Sequence, residues 1–257
     1  MIQEVKNLIN PLEFRENIEI SEVDKNLLVD MLRKMIIIRK AEEKIAEHVE
    51  TGKIKCPCHL GIGQEAVGTA VAMVMRNTDR AFGAHRSHTH YLALNENTFA
   101  LFAEVLGKFD GCSHGMGGSM HIVDNEHGFK GSVPIVGATI PIATGAGLAA
   151  KMDKNGDIAI SYFGDGACEE GVLHESLNMA AIMQLPVLYV CENNLFSSHL
   201  HIDLRQPSNT TARFAKAHQI NFATVDGNDV VGMFKLLTKE LSTMRETNTP
   251  FFLEAFT

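Results

Sequence analysis

Asp165 stands between two glycines in "GDGAC", and twenty-nine residues later Asn194 closes the pair of asparagines in "CENN". A carboxylate and an amide oxygen are hard donors suited to Mg²⁺ or Ca²⁺. Mg²⁺ takes few protein ligands and completes its octahedron with phosphate oxygens and water. Gly164 and Gly166 let backbone approach phosphates, and the N-terminus of a helix just beyond favours an anion. Either half alone reads as an Asp-Gly turn or a capping Asn. Both at this spacing predict one metal ion that holds a diphosphate, provided the chain brings the halves together.

The intervening elements can do so. "DIAISYF" reads as a strand, "EEGVLHESLNMAAIM" as a helix with Val172, Leu173, Ser176, Leu177 and Ala180 on one face, and "PVLYV" as a strand. Parallel strands joined by a right-handed helical crossover end on one edge of a sheet, where open α/β folds bind ligands. "FATV" is a further strand, Asp229 is placed to cap "VVGMFKLLTKELSTMRE", and "PFFLEAF" is the last strand. Upstream, a capping box at Ser21-x-x-Asp24 opens a long amphipathic helix with Leu28, Leu32, Met35 and Ile38 at helical spacing. "GQEAVGTAVAMVM" reads as a second helix, packed on most sides. Residues 80 to 135, rich in Gly and His and weak in periodicity, read as long functional loops. The expected fold is α/β, a doubly wound, mostly parallel sheet, with residues 1–257 as a single domain.

Composition narrows the function. The 257 residues are 45% hydrophobic and 21% charged, with a net charge of −8 and a pI of about 5.8. No basic footprint points to nucleic acid or anionic lipid. "MIQEVKNLINPLEF" lacks the apolar core of a signal peptide. "VPIVGATIPIATGAGLAA" (133–150) is uncharged, but its prolines and glycines suit a soluble core better than a membrane span. Five scattered cysteines point to reduced thiols and a cytoplasmic compartment. "CPCH" has no second cysteine pair to complete a zinc site, and "HRSHTH" no thiolate or acid cluster. "GAGLAA" (145–150) matches the dinucleotide fingerprint, with Asp165 twenty residues beyond Gly145. A nicotinamide- or flavin-linked oxidoreductase is therefore the alternative. Pro134 and Pro141 break the strand it would need, and it leaves Asn193 and Asn194 unexplained.

GDG followed by NN at this distance resembles the thiamine diphosphate motif. "CHLGIGQEAVG", "HRSH", "LFAEVLGKFDGCSHGMGGSMH", "IVGATIP", "GDGA", "CENN" and "VDGND" resemble, more narrowly, the α subunit of the E1 component of 2-oxo acid dehydrogenase complexes. "GGSMH" is similar to the pyruvate and acetoin branch. The resemblance implies that Asp165 and Asn194 ligate Mg²⁺ through side chains and Phe196 through its carbonyl. It implies that Gly166, Ala167 and Arg86 contact the diphosphate, with His85 beside them where many relatives have Tyr. Pro134 and Val136 match positions whose backbone holds the aminopyrimidine ring, and His59 matches an active-site histidine. His88 is the other candidate catalytic histidine, placed near the cofactor. His199 and His201, which depart from many relatives, are candidates for the substrate entrance. The implied activity is decarboxylation of a 2-oxo acid, or cleavage of acetoin, with the acyl group passing to a lipoyl group on an E2 partner.

The resemblance also implies a β subunit, whose glutamate activates the cofactor, in an α₂β₂ heterotetramer. The small-residue stretches "GQEAVGTAVAMVM" and "IPIATGAGLAA" are candidate packing surfaces for other subunits. Relatives continue past "FFLEAFT" through a Tyr-Arg segment to a loop with a second active-site histidine. Either this sequence is a shortened form, or it is a cofactor-binding assembly subunit without catalysis.

Overall fold

The computed structural model describes residues 18–257, so the reading of the first fourteen residues lies outside it. Its centre is a sheet of six parallel strands: β1 (Arg80–Gly83), β2 (Phe129–Ser132), β3 (Ala159–Gly164), β4 (Val187–Asn193), β7 (Asn221–Asp226) and β8 (Phe251–Phe256). Their order across the sheet is β2-β1-β3-β4-β8-β7. Two short strands, β5 (Phe196–Ser197) and β6 (Leu200–His201), form a separate antiparallel hairpin.

Alternation along each strand divides the core. Ile158, Ile160 and Tyr162 at and along β3, Leu188 and Val190 of β4, and Leu253 of β8 face one hydrophobic cluster. Ala159, Phe163, Val187, Tyr189 and Phe252 face the other. Successive strand residues point to opposite faces, so a strand apolar on both demands helices on both sides. The first layer contains α1 (Lys25–Glu50), α2 (Glu65–Ala72), α3 (His88–Asn95), α4 (Thr98–Val105) and α8 (Val230–Thr247). The second contains α5 (Thr139–Asp153), α6 (Gly171–Met183) and α7 (Ala212–Ala217). This is the doubly wound arrangement expected.

Several local expectations need correction. The cap of α1 is Asp24, whose side chain accepts from the Asn26 N–H, and not Ser21. The buried stripe of α1 is Met31, Ile38, Ala41, Glu42 and Ile45, while Leu32 is exposed. The interval 80–135 is not loop throughout, since it holds β1, α3, α4 and β2. Helix α3 is buried at His88 through Ala93 and so has no polar face to give it a period.

The dinucleotide reading is overturned. "GAGLAA" lies in the interior of α5, away from any strand-to-helix turn. A Cβ on Gly147 would run into the Val187 side chain, so this glycine lets α5 lie close on β4. Helix α2 is buried from Glu65 through Val71, which removes it as a packing surface for another subunit. Among the described residues, no helix is long and apolar enough to cross a membrane.

Candidate cofactor and active site

Strands β3 and β4 pair in parallel, with Phe163 opposite Cys191 and Gly164 opposite Glu192. Asp165 and Asn194 therefore leave neighbouring strands at the same edge. Beyond Gly164 the chain makes one 3-10 turn, Asp165–Glu169, before α6 begins. Asp165 is 1% exposed. Its Oδ2 accepts from the Arg205 guanidinium, while its Oδ1 is buried with no hydrogen-bond partner among the described residues. Burial pushes this carboxyl above the usual carboxylate range, and Arg205 pulls it back only in part. A buried acceptor without a donor suits a cation.

The two asparagines divide the work. Asn193 is fully buried, and its amide donates to the Asn209 carbonyl at 2.9 Å and to Glu254 Oε1 at 2.8 Å. Its Oδ1 accepts from the Leu195 N–H at 3.0 Å, so Asn193 anchors the turn. Asn194 is only partly buried, and its Oδ1 accepts from the Phe196 N–H at 3.0 Å. An amide oxygen has a second lone pair, which stays available to a metal. Leu195 takes a φ of 67°, which reverses the chain into the β5–β6 hairpin. That hairpin lies against the turn: a Cβ on Gly166 would meet Ser197 Oγ at 2.5 Å.

Glu254 of β8 supports this corner. It is fully buried and accepts from Asn193, the Thr211 N–H at 2.6 Å, Thr211 Oγ1 at 2.9 Å and the Ala212 N–H at 3.2 Å. Thr210 and Thr224 hydroxyls complete its donors. An acid inside the otherwise apolar "PFFLEAF" was the available signal, because a central strand buries a charge only with dedicated partners.

The remaining candidates lie along the same edge in strand order. His85 and Arg86 follow β1, and the Arg86 guanidinium donates to the Leu60 carbonyl. Pro134 and Val136 follow β2, where the Val133 N–H donates to the Gly83 carbonyl at 3.0 Å. A Cβ on Gly137 would touch Glu170 at 3.1 Å, so this loop borders the turn that holds Asp165. Ala167 is buried in that turn. His59, on the α1–α2 connection, meets His85 edge to face with ring centroids 4.7 Å apart. Burial lowers both imidazoles below their ordinary value, with Arg86 adding to the effect.

His88 is placed differently. It is fully buried, with Nδ1 3.1 Å from Glu42 Oε2 and Nε2 2.9 Å from Ser119 Oγ. Glu42 Oε1 accepts from the Gly61 N–H at 3.0 Å. Both nitrogens of His88 are thus engaged in joining α1, the His59 loop and "GGSMH". The latter loop is gathered by buried Glu104, which accepts from the N–H groups of Ser113, Gly115, Gly117 and Gly118 at 2.6 to 3.0 Å. His199 is exposed, and His201 rests on Phe196 with centroids 5.0 Å apart. The described residues contain no cluster of three or more His, Cys, Asp or Glu with metal-binding geometry.

Comparison with known proteins identifies the family of the chain. The family model for the dehydrogenase E1 component matches residues 33–257. The α subunit of an acetoin:2,6-dichlorophenolindophenol oxidoreductase of Cupriavidus necator is 36% identical over 234 residues, covering 90% of this chain and 70% of its own. The pyruvate dehydrogenase E1 component subunit alpha of Rickettsia prowazekii is 34% identical, with 91% and 72% covered. The acetoin enzyme α subunit of Bacillus subtilis is also 34% identical, with 88% and 68% covered. With its match running from α1 through β8, the chain belongs to the dehydrogenase E1 component family.

Proposed function

We propose that this chain is the α subunit of a thiamine diphosphate- and Mg²⁺-dependent E1 enzyme. Its substrate is a pyruvate-like 2-oxo acid or acetoin. It works with a β subunit, in an α₂β₂ assembly, and delivers the acyl group to a lipoyl group on an E2 protein. The observation that carries this reading is Asp165 Oδ1, a buried acceptor without a donor among the described residues, beside Asn194 on the next strand end. Relatives named for pyruvate and for acetoin support the substrate class.

The donor set fits the cofactor's metal. Asp165, Asn194 and the Phe196 carbonyl offer three oxygens and no thiolate, which is the chemistry Mg²⁺ accepts. Gly166 and Ala167 at the turn, with the Arg86 fork, suit a diphosphate. The Pro134 and Val136 backbone would meet the aminopyrimidine ring. When bound, thiamine diphosphate supplies a carbon nucleophile and an electron sink for cleaving the bond next to a carbonyl.

This chain's residues then do three things. Asp165 and Asn194 would hold the cation at the sheet edge, and Arg86 would orient the diphosphate. Burial lowers the His59 pKa and favours its neutral form, which would accept or return a proton during the reaction. Glu42, His88 and Ser119 hold the His59 loop at its Gly61 end.

The test is co-expression with a β subunit, followed by calorimetry and an assay with an artificial electron acceptor. Asp165→Ala is expected to abolish Mg²⁺-dependent thiamine diphosphate binding while the fold persists. Pyruvate, branched 2-oxo acids and acetoin are compared as substrates. Unchanged cofactor affinity in the variant would remove the metal assignment.

A further inference from the structure

Arg205 ends the segment that follows the β5–β6 hairpin, and its side chain is only 6% exposed. Each arm of its guanidinium is committed. Nη2 donates to Asp165 Oδ2, Nη1 to Glu169 Oε1, and Nε to the Leu200 carbonyl at 3.0 Å. Among the described residues, Asp165 Oδ1 has no such partner. One oxygen of the carboxylate is therefore fixed and the other is left for a different cation.

We propose that Arg205 is a positioning residue for the metal, fixing Asp165 Oδ2 so that Oδ1 is presented to the ion. This rests on the metal–diphosphate reading above. Through the Leu200 carbonyl the same guanidinium holds the hairpin in which Phe196 pairs with His201. Through Glu169 it ties down the far end of the turn that begins with Asp165. One planar fork thus joins the two chain segments that would supply ligands to the ion. A lysine, with a point charge on a flexible stem, cannot reproduce three fixed directions.

The contrary reading is that Arg205 competes with the metal for the charge of Asp165. The two differ in sign. Removing a positive charge beside the site strengthens divalent-cation binding if electrostatics alone operates. If Arg205 positions the ligand, its removal weakens binding by about 10- to 100-fold, as is usual for outer partners of metal ligands.

Mn²⁺, read by its electron paramagnetic resonance signal in the presence of thiamine diphosphate, serves as the probe. The protein is the chain assembled with its β subunit. Wild type, Arg205→Lys, Arg205→Met and Asp165→Asn are compared, with metal-free melting temperatures recorded for each. The expected result is tight Mn²⁺ in the wild type and none in Asp165→Asn. Both Arg205 variants should weaken about 10- to 100-fold, with Arg205→Lys nearer to Met than to wild type. If Arg205→Met unfolds, Arg205→Lys carries the test. Equal or tighter Mn²⁺ in the Met variant, or wild-type affinity in the Lys variant, overturns the positioning role and leaves the metal site standing. Absence of Mn²⁺ binding in the wild type, or binding indifferent to Asp165→Asn, overturns the metal reading itself.

Discussion

His59 and His85 meet edge to face, with ring centroids 4.7 Å apart, where the α1–α2 connection crosses the end of β1. Burial lowers the pKa of both. Arg86 and His88 add to the effect at His59, and His59 and Arg86 at His85, where Glu192 partly offsets them. Both rings therefore favour the neutral form, and a charge on His59 makes protonation of His85 harder. Neutral imidazoles in this range can serve as proton donors or acceptors near neutral pH.

The sign of the pH dependence follows. Both folded values lie below the ordinary 6.5, so the unfolded chain takes up protons first as pH falls. The stability these rings contribute is present above pH 6.5 and is lost as pH falls through their folded values. Nuclear magnetic resonance titration should find both rings titrating below 6.5, and His59→Ala should raise the value of His85. An unmoved His85 would mean that the rings do not sense each other. His59→Ala should also lower kcat by about 10²- to 10⁴-fold with little change in cofactor affinity. Equal losses of both would show that His59 only orders its loop.

Glu254 carries a different kind of consequence. Its carboxylate gathers side-chain and backbone donors from Asn193, Thr210, Thr211, Ala212 and Thr224. Glu254→Ala leaves these buried donors unpaired and should cost about 3 kcal/mol or more in urea unfolding. Asn193→Ala removes one participant, so it should cost less than Glu254→Ala. In a double-mutant cycle the two losses should fail to add, because they share one network. Additive losses would show that Asn193 is held by its bonds to Asn209 and Leu195 and not by Glu254.

The sequence made the chemistry at the strand ends readable and hid what holds it in place. Asp165 and Asn194 could be paired because two parallel strands and one crossover helix leave few other arrangements. Arg205, Glu254, Glu104 and Glu42 were not singled out. Each acts across a long sequence separation on another segment's backbone or side chain, and no local spacing records such a contact. Glu42 fits helical spacing in α1 as well as any surface acid would. Only its total burial, against His88 and the Gly61 N–H, distinguishes it. Helices α3 and α4 were missed for a related reason, since short helices buried on most sides lose the polar stripe that a periodicity reading depends on.

Two glycines of α5 should respond oppositely to added bulk. A Cβ at Gly147 collides with Val187, whereas one at Gly145 meets nothing within 4 Å. Gly147→Leu should destabilise the isolated chain by about 1–3 kcal/mol through overpacking. Gly145→Ala, at an exposed helix position, should instead stabilise it by about 0.4–1 kcal/mol. Urea unfolding of both variants measures this. A neutral Gly147→Leu would mean that α5 can lift from β4 without loss.

The outer face of α5 bears on assembly. Ile142, Gly145, Ala149 and Met152 follow one another at helical spacing, with Ile142 42% and Met152 72% exposed. On the neighbouring α6, Met179, Ile182 and Met183 are also exposed. An apolar stripe with a glycine at its middle suits close packing against another subunit. The strand-end edge proposed for the cofactor is open as well, with Val136 and Phe196 each about half exposed. A sheet edge of this kind covers only part of a long cofactor with groups at both ends. The isolated chain should therefore neither bind thiamine diphosphate tightly nor turn over a 2-oxo acid. Mixing it with a β subunit should produce a heavier species together with activity. Gly145→Leu, at an exposed position where an added Cβ has open space, should leave the isolated fold intact and weaken that assembly if α5 lies in the interface. Sedimentation and activity of the mixtures decide both points. An isolated chain as active as the mixture would refute a site shared between subunits, and a Gly145→Leu variant that assembles normally would move the interface away from α5.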